Sequence, residues 1–423
     1  MATYRGTAED AWRWVLDQVR HDDGPWIPQF PGGELELPWR EGMYSGVGGL
    51  AHVLAEIRLS REWTAREEQL AEAVARRVRA SIGTTNDVSF FAGLVSAVSV
   101  LTALGADGPD EAVARMLELS TPDGWPNGNI VPPRFQEGAR CHDLTVGTAG
   151  VLLGAVWARR HGVAGADELA DLAAGILLAE REEVPGGLNW RMVPVRFCVE
   201  QREFPNFSHG VAGVSTALAL AGAEFGRSDL VEAATAGAEH LVTLGDTSDG
   251  GFRVRARVPQ IVEVEEFHYG WCHGPTGTSL LWPALRHAGV SEVAGVDVGE
   301  WHRRCLHSIR ASGLPERKYP GFWDNDGRCC GTAGVGDVLL DSGQHTDFAL
   351  HLADVVVEHA VKDGPGVCWR FTEHRNPDPL LPPGIGWMQG AAGIAGFLFH
   401  AARVAEGDAR SVPRIDTWWA LGG

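Results

Sequence analysis

Positive charge is scarce in this 423-residue chain. Its 36 Lys and Arg stand against 55 Asp and Glu, giving a formal net charge of −19, and no basic cluster occurs. Neutralising a phosphate backbone requires clustered Lys and Arg, so the composition argues against nucleic acid and anionic membrane as partners. Long apolar runs are missing too. None approaches the roughly 20 residues that cross a bilayer, and residues 1–22 mix acidic and basic side chains where a secretory signal needs an apolar core. A cytoplasmic protein without membrane insertion is expected. Cysteine is sparse: seven residues, at 141, 198, 272, 305, 329, 330 and 368, an odd count without the dense spacing of a disulfide scaffold. That usage fits a reducing compartment and leaves metal binding open. Vicinal Cys329 and Cys330 would form only a strained bridge. No charge run or low-complexity linker marks a boundary, so residues 1–423 are expected to form one domain.

What the chain has in abundance is glycine, 54 residues, and the glycines recur in a pattern. Pairs three apart open an apolar run at Gly46/Gly49, Gly147/Gly150, Gly210/Gly213, Gly274/Gly277, Gly331/Gly334 and Gly390/Gly393, with a weaker copy at Gly93. Successive first glycines are 47 to 64 residues apart. Seven such repeats leave room for two helices and their loops in each. The runs that follow, such as 151–157, 214–220, 279–285 and 394–399, are apolar nearly all round and suit a buried inner layer.

Amphipathic segments between them suit an outer layer. Thr64 and Glu67 form a capping box, after which Leu70, Val74, Val78 and Ile82 recur at four-residue spacing. Thr7 opens a similar segment with Trp12, Leu16 and Val19 on one side, and 167–178, 229–241, 297–309 and 346–359 repeat the pattern. Alternating outer and inner helices over seven repeats predict an all-α fold, an α/α toroid whose glycine motifs ring a central cavity. Residues 188–192, 195–199, 252–255 and 261–264 alternate or run apolar as strands do, and are expected as short β hairpins in the rim loops.

The chemistry sits just ahead of the glycines in three successive repeats: His209, Cys272-His273 and Cys329-Cys330. Equivalent positions of neighbouring repeats can converge, and Cys272, Cys329 and Cys330 would then offer three soft ligands suited to zinc. Three buried reduced cysteines are the alternative reading. His273 and His209 could each serve as a fourth ligand, a donor behind the ligands, an acid/base or a structural residue. Asp143, in Cys141-His142-Asp143-Leu144, lies four residues ahead of Gly147 in the adjacent repeat. Cysteines 141, 198, 305 and 368 are taken as structural; Trp271, Trp323 and Trp387, beside the motifs, are candidates for lining the cleft.

Trp271-Cys272-His273-Gly274, Cys329-Cys330-Gly331-Thr332-Ala333-Gly334, Ser208-His209-Gly210-Val211-Ala212-Gly213 and His142-Asp143-Leu144 followed by Gly147-Thr148-Ala149-Gly150, in this order, resemble the lanthionine synthetase C family. Any one motif is unspecific, but the set spans essentially the whole chain. The resemblance implies an α/α toroid with a central zinc ion held by Cys272, Cys329 and Cys330, the last standing where most members have histidine. It implies that His209 and Asp143 are the active-site histidine and aspartate. Many bacterial members have an arginine four residues before the first ligand, where this chain has His268, so His268 and His273 are assigned only to the surroundings of the metal.

The implied reaction is an intramolecular Michael addition. A cysteine thiolate of a dehydrated precursor peptide attacks dehydroalanine or dehydrobutyrine, giving a (methyl)lanthionine thioether ring, with a dehydratase as a further partner. Free cysteine has a pKa of about 8.5, and zinc would remove that limit on the thiolate. A third thiolate ligand would leave the metal site negatively charged, making the substrate sulfur more loosely held and more nucleophilic. Two alternatives remain: addition of glutathione to dehydroamino acids in damaged proteins, and a zinc-stabilised scaffold without chemistry. A glycan-processing toroid would need paired carboxylates, and only Asp143 stands near a motif.

Overall fold

The computed structural model describes residues 3–34, 39–128, 130–133, 135–198, 203–260, 265–374 and 376–422. The chain packs as two compact units, one of Met1–Ser81, Val100–Asp107 and Gly313–Gly423, the other of Ile82–Ser99 and Gly108–Ser312. Helices dominate both.

Each glycine motif opens a helix, and the inner helices are buried as their composition requires. In Thr148–Arg160 eleven of 13 residues are buried, in Val211–Phe225 twelve of 15, and in Ala391–Ala405 thirteen of 15. Leu50–Ser60 and Thr332–Ser342 follow the same rule. By contrast Ala65–Ser81 buries only five of 17, chiefly Leu70, Ala71, Val74 and Val78 along one stripe, so it is an outer helix. Its capping box forms as expected: Glu67 N–H donates to Thr64 Oγ1 at 3.3 Å, and Thr64 N–H donates to Glu67 Oε2 at 2.7 Å. The first helix runs Tyr4–Gln18 and starts earlier than Thr7, because Thr3 Oγ1 accepts the Gly6 N–H at 3.0 Å and caps it.

In the first unit Tyr4–Gln18 and Thr346–Glu358 lie outside the buried helices Leu50–Ser60, Thr332–Ser342 and Ala391–Ala405. In the second, the outer helices Ala166–Ala179, Ser228–Leu244 and Val298–Ala311 pack on the inner helices Thr148–Arg160, Val211–Phe225 and Leu281–His287.

Five two-stranded antiparallel hairpins occur among the described residues. Gly187–Asn189 pairs with Glu182–Val184, and Arg253–Val254 pairs with Gly245–Asp246, close to where alternation predicted strands. The expected strand at 195–199 does not form over its first residues: Val195–Phe197 is a single 3-10 turn, and only Cys198 bridges to Phe135. Pro194 opens that turn; Val195 is left 41 % exposed, while Phe197 and Cys198 pack on a buried cluster of Ile130, Ala139, Cys141 and Val193. Val199 and the expected strand at 261–264 lie outside the described residues.

The motif glycines are fixed by close approach, since the loop before each folds back against its own helix. A Cβ on Gly210 would stand 1.3 Å from the Phe204 carbonyl oxygen, and one on Gly334 would stand 1.8 Å from that of Arg328. No side chain fits at either place. The folded-back loops satisfy helix-end donors: Ala212 N–H donates to Pro205 O at 3.2 Å and Thr332 N–H to Asn325 O at 3.2 Å.

Candidate active site and metal-ligand group

A backbone ladder joins the residues two places ahead of successive motif glycines. Thr145 N–H donates to Ser208 O at 3.3 Å, and Ser208 N–H donates to Cys272 O at 3.1 Å. The same rung recurs in the other unit, where Cys329 N–H donates to Met388 O at 2.9 Å and Met388 N–H to Tyr44 O at 3.0 Å. The ladder gives Cys272 and Cys329 equivalent places, and puts His209, His273 and Cys330 one residue nearer the helix.

His209 is held by Asp143. Asp143 is completely buried, and its Oδ1 accepts the Val146 N–H at 2.9 Å. Its Oδ2 accepts the Thr145 hydroxyl at 3.0 Å and faces His209 Nδ1 at 2.5 Å. A carboxylate flanked by these donors acts as acceptor, so Nδ1 carries the proton and donates. Thr145 Oγ1, 3.1 Å from Nδ1, fixes the ring from a second side. The imidazole side chain is 27 % exposed, and Nε2 has no hydrogen-bond partner among the described residues. That nitrogen can therefore take and return a proton.

Two aromatic rings flank His209, and a third stands beside one of them. The His209 ring centroid is 5.4 Å from that of His273 and 6.1 Å from that of Phe204, and His268 is 5.9 Å from His273. Burial, reinforced by the neighbouring charges of His209, His268 and Arg257, pushes the His273 pKa down to about 3, so this ring is neutral. Its buried Nδ1 finds no partner among the described residues.

Among the described residues, the one group of three or more His, Cys, Asp or Glu donors that could hold a metal ion is Cys272, Cys329 and Cys330, whose Sγ atoms lie within 4.8 Å of one another. None of the three is in a disulfide; Cys329 is buried and Cys330 exposed, with their sulfurs 3.4 Å apart. Three sulfurs form a donor set for a thiophilic ion, and an exposed member leaves the set open to solvent. No histidine belongs to the group. The donor set therefore fits zinc.

The remaining cysteines are separate from this chemistry. Burial raises the Cys141 thiol pKa well above its usual value, that of Cys305 to about 12 and that of Cys368 to about 11. Trp271 and Trp387 are buried and pack on Phe91 and Phe207, and on Arg328, respectively, while Trp323 is half-buried and donates to Thr332 Oγ1 at 3.1 Å. Thr145 and Phe204 escape a search for ionisable residues. Thr145 could have been found by alignment of the repeats, since it holds the place that Cys272 and Cys329 hold in theirs.

The solved structure of nisin cyclase superposes with a TM-score of 0.59 at 15 % identity, covering 91 % of this chain and 94 % of that one. A protein of known structure from Listeria innocua matches with a TM-score of 0.51 at 11 % identity, over 97 % of this chain and all of the other. At such identities these matches establish the fold, an all-α chain of the α/α-toroid class. A search of curated proteins by sequence found no match. The family model described as lanthionine synthetase C-like protein matches residues 38–416, and the chain belongs to that family.

Proposed function

We propose that this protein is a zinc-dependent lanthipeptide cyclase, closing thioether rings by adding cysteine thiols of a dehydrated peptide to dehydroalanine or dehydrobutyrine. The observation that carries this reading is the placement of His209: an imidazole oriented by a buried carboxylate, with Nε2 unengaged among the described residues, on the loop whose Ser208 N–H bonds the Cys272 carbonyl at 3.1 Å.

Cys272, Cys329 and Cys330 would hold the zinc, which when bound supplies a substrate thiol with a lowered pKa. His209 Nε2 takes the thiol proton. The sulfur lone pair forms the new bond to the β-carbon, and the double-bond electrons move to the α-carbon and its carbonyl as an enolate. The proton on Nε2 then goes to the α-carbon, so every atom is conserved and mass does not change. Asp143 accepts from Nδ1 throughout, stabilising the imidazolium formed between the two transfers. Thr145 keeps the ring in register with that carboxylate.

The test combines metal analysis with incubation of a dehydrated cysteine-containing peptide and thiol alkylation. Stoichiometric zinc, loss of alkylatable thiol and unchanged mass are expected. Full zinc occupancy with every thiol still alkylatable would contradict the reading, and a gain of one glutathione mass would assign the alternative activity instead.

A further inference from the structure

Arg257 plays no part in the chemistry above, yet it stands beside it. Its backbone is pinned on both flanks: Ala256 N–H donates to Glu266 O at 3.0 Å, while Val258 and Glu203 exchange two bonds of 2.9 Å. The carboxylates brought close by those bonds are engaged elsewhere. Glu203 pairs with Arg191 at 3.2 Å and accepts from Asn189 at 3.2 Å, and Glu266 pairs with Arg255 at 2.7 Å. Among the described residues Arg257 has neither a carboxylate partner nor a hydrogen bond. Its guanidinium instead lies 5.5 Å from the Phe204 ring centroid.

Phe204 connects this cation to the site. The same ring is 6.1 Å from His209 and 6.1 Å from His273. Half-buried, Arg257 finds no counterion among the described residues to offset the hydration it loses. In a chain of net charge −19, an anionic ligand would meet repulsion nearly everywhere else. The aromatic face keeps the planar fork oriented in advance, and that fork matches a carboxylate bidentately.

We propose that Arg257 is a carboxylate-binding residue of this site, selecting thiol substrates that carry an acidic group close to the reacting sulfur. The inference rests on the proposed function in taking the substrate to be a thiol. The carboxylate belongs either to an acidic side chain beside the peptide cysteine or to a small thiol acid, and both present the same chemistry to the guanidinium.

Calorimetric titration of the zinc-loaded protein tests this with two pairs of probes. One pair is 3-mercaptopropionate and its neutral amide; the other is the capped dipeptides Asp-Cys and Asn-Cys, and the pair that shows the preference identifies the source. Wild type is expected to bind the acidic member of at least one pair roughly tenfold tighter than the neutral one, the size of one charge-assisted contact. Arg257→Gln should abolish that preference and Arg257→Lys should keep part of it. Comparing variants cancels the difference in thiol acidity within a pair, and an unchanged melting temperature shows that each variant is folded. Equal binding of acid and amide by wild type, no binding of either acid, or a preference surviving in Arg257→Gln overturns the inference. Binding of the neutral thiols reports on the thiol site independently, so failure of the proposed function is seen as their loss and is distinguishable from failure here.

Discussion

Two histidine–aspartate pairs in this protein share a chemistry and differ in everything around it. His209 faces Asp143 at 2.5 Å and His400 faces Asp337 at 2.9 Å, both through Nδ1, and both aspartates are buried. His400 is completely buried, and its other nitrogen is taken by Ser411 Oγ at 3.1 Å. Asp337 also receives Arg328 at 2.7 Å and Arg414 at 2.6 Å, and Arg414 goes on to Asp341 at 2.5 Å and Glu56 at 3.2 Å. Burial opposes ionisation of Asp337, but Arg328, Arg414 and His400 overcome it and hold the carboxyl well below its usual range. Every polar group of the His400 pair is committed, so it can only hold structure. In the His209 pair the side chain is 27 % exposed and Nε2 has no hydrogen-bond partner among the described residues, so one nitrogen is left available for proton transfer.

The largest effect that would break the comparison concerns Cys272, whose carbonyl accepts from Ser208 beside the first pair. Cys272→Ala should abolish stoichiometric zinc binding and reduce thiol consumption to background, while circular dichroism keeps its helical signal; retained zinc would show that Cys272 is not a ligand. The second pair should respond in stability. Asp337→Asn leaves Arg414 and Arg328 short of a charge, and breaking such a buried pair costs about 3–5 kcal/mol, read as a lower urea midpoint with the specific rate of the folded fraction unchanged. Thr145→Val sharpens the positioning role: kcat should fall about tenfold, at the low end of the effect of a misplaced general base, with KM unchanged.

The smallest effect is a pH dependence spread over buried rings. Burial, with Arg414 and Arg328 adding to it, lowers the His52 pKa to about 3; burial likewise brings His142 and His302 to about 4. Below a pH of about 6.5 the unfolded chain protonates these rings while the folded chain does not. The unfolded state then binds more protons, so stability falls with pH between about 6.5 and 4. His400 works the other way, since despite its burial the bond to Asp337 raises its pKa, and its contribution is complete below 6.5 and lost as pH rises through the raised value. With His273, lowered to about 3, four rings against one should give a melting temperature that declines steadily as pH drops from 7 to 4.5; a flat profile would mean that the rings are hydrated.

The inner and outer helices were legible in the sequence because burial follows helical periodicity, and the glycines because the folded-back loops at Gly210 and Gly334 leave no room for a Cβ. The positions of His209, Asp143 and the thiols could be read from the same repeat. The 3-10 turn at Val195–Phe197 could not, since a short apolar run carries no statement of what it faces. The ionic cluster was hidden for another reason: Glu56 and Arg414 are separated by 358 residues and belong to no motif. Arg257 was equally silent, because a lone arginine in a loop is distinguished only by the partners it lacks among the described residues.

The most direct measurement is the rate of thiol loss, at unchanged mass, from a dehydrated peptide incubated with zinc-loaded wild type, His209→Asn and Asp337→Asn below the melting temperature of each. A general acid/base contributes about 10²–10⁴-fold. His209→Asn should therefore lose that much at an unaltered melting temperature, while folded Asp337→Asn reacts like wild type. A His209→Asn protein as fast as wild type, or a folded Asp337→Asn protein as slow as His209→Asn, would contradict the assignment of catalysis to the open pair.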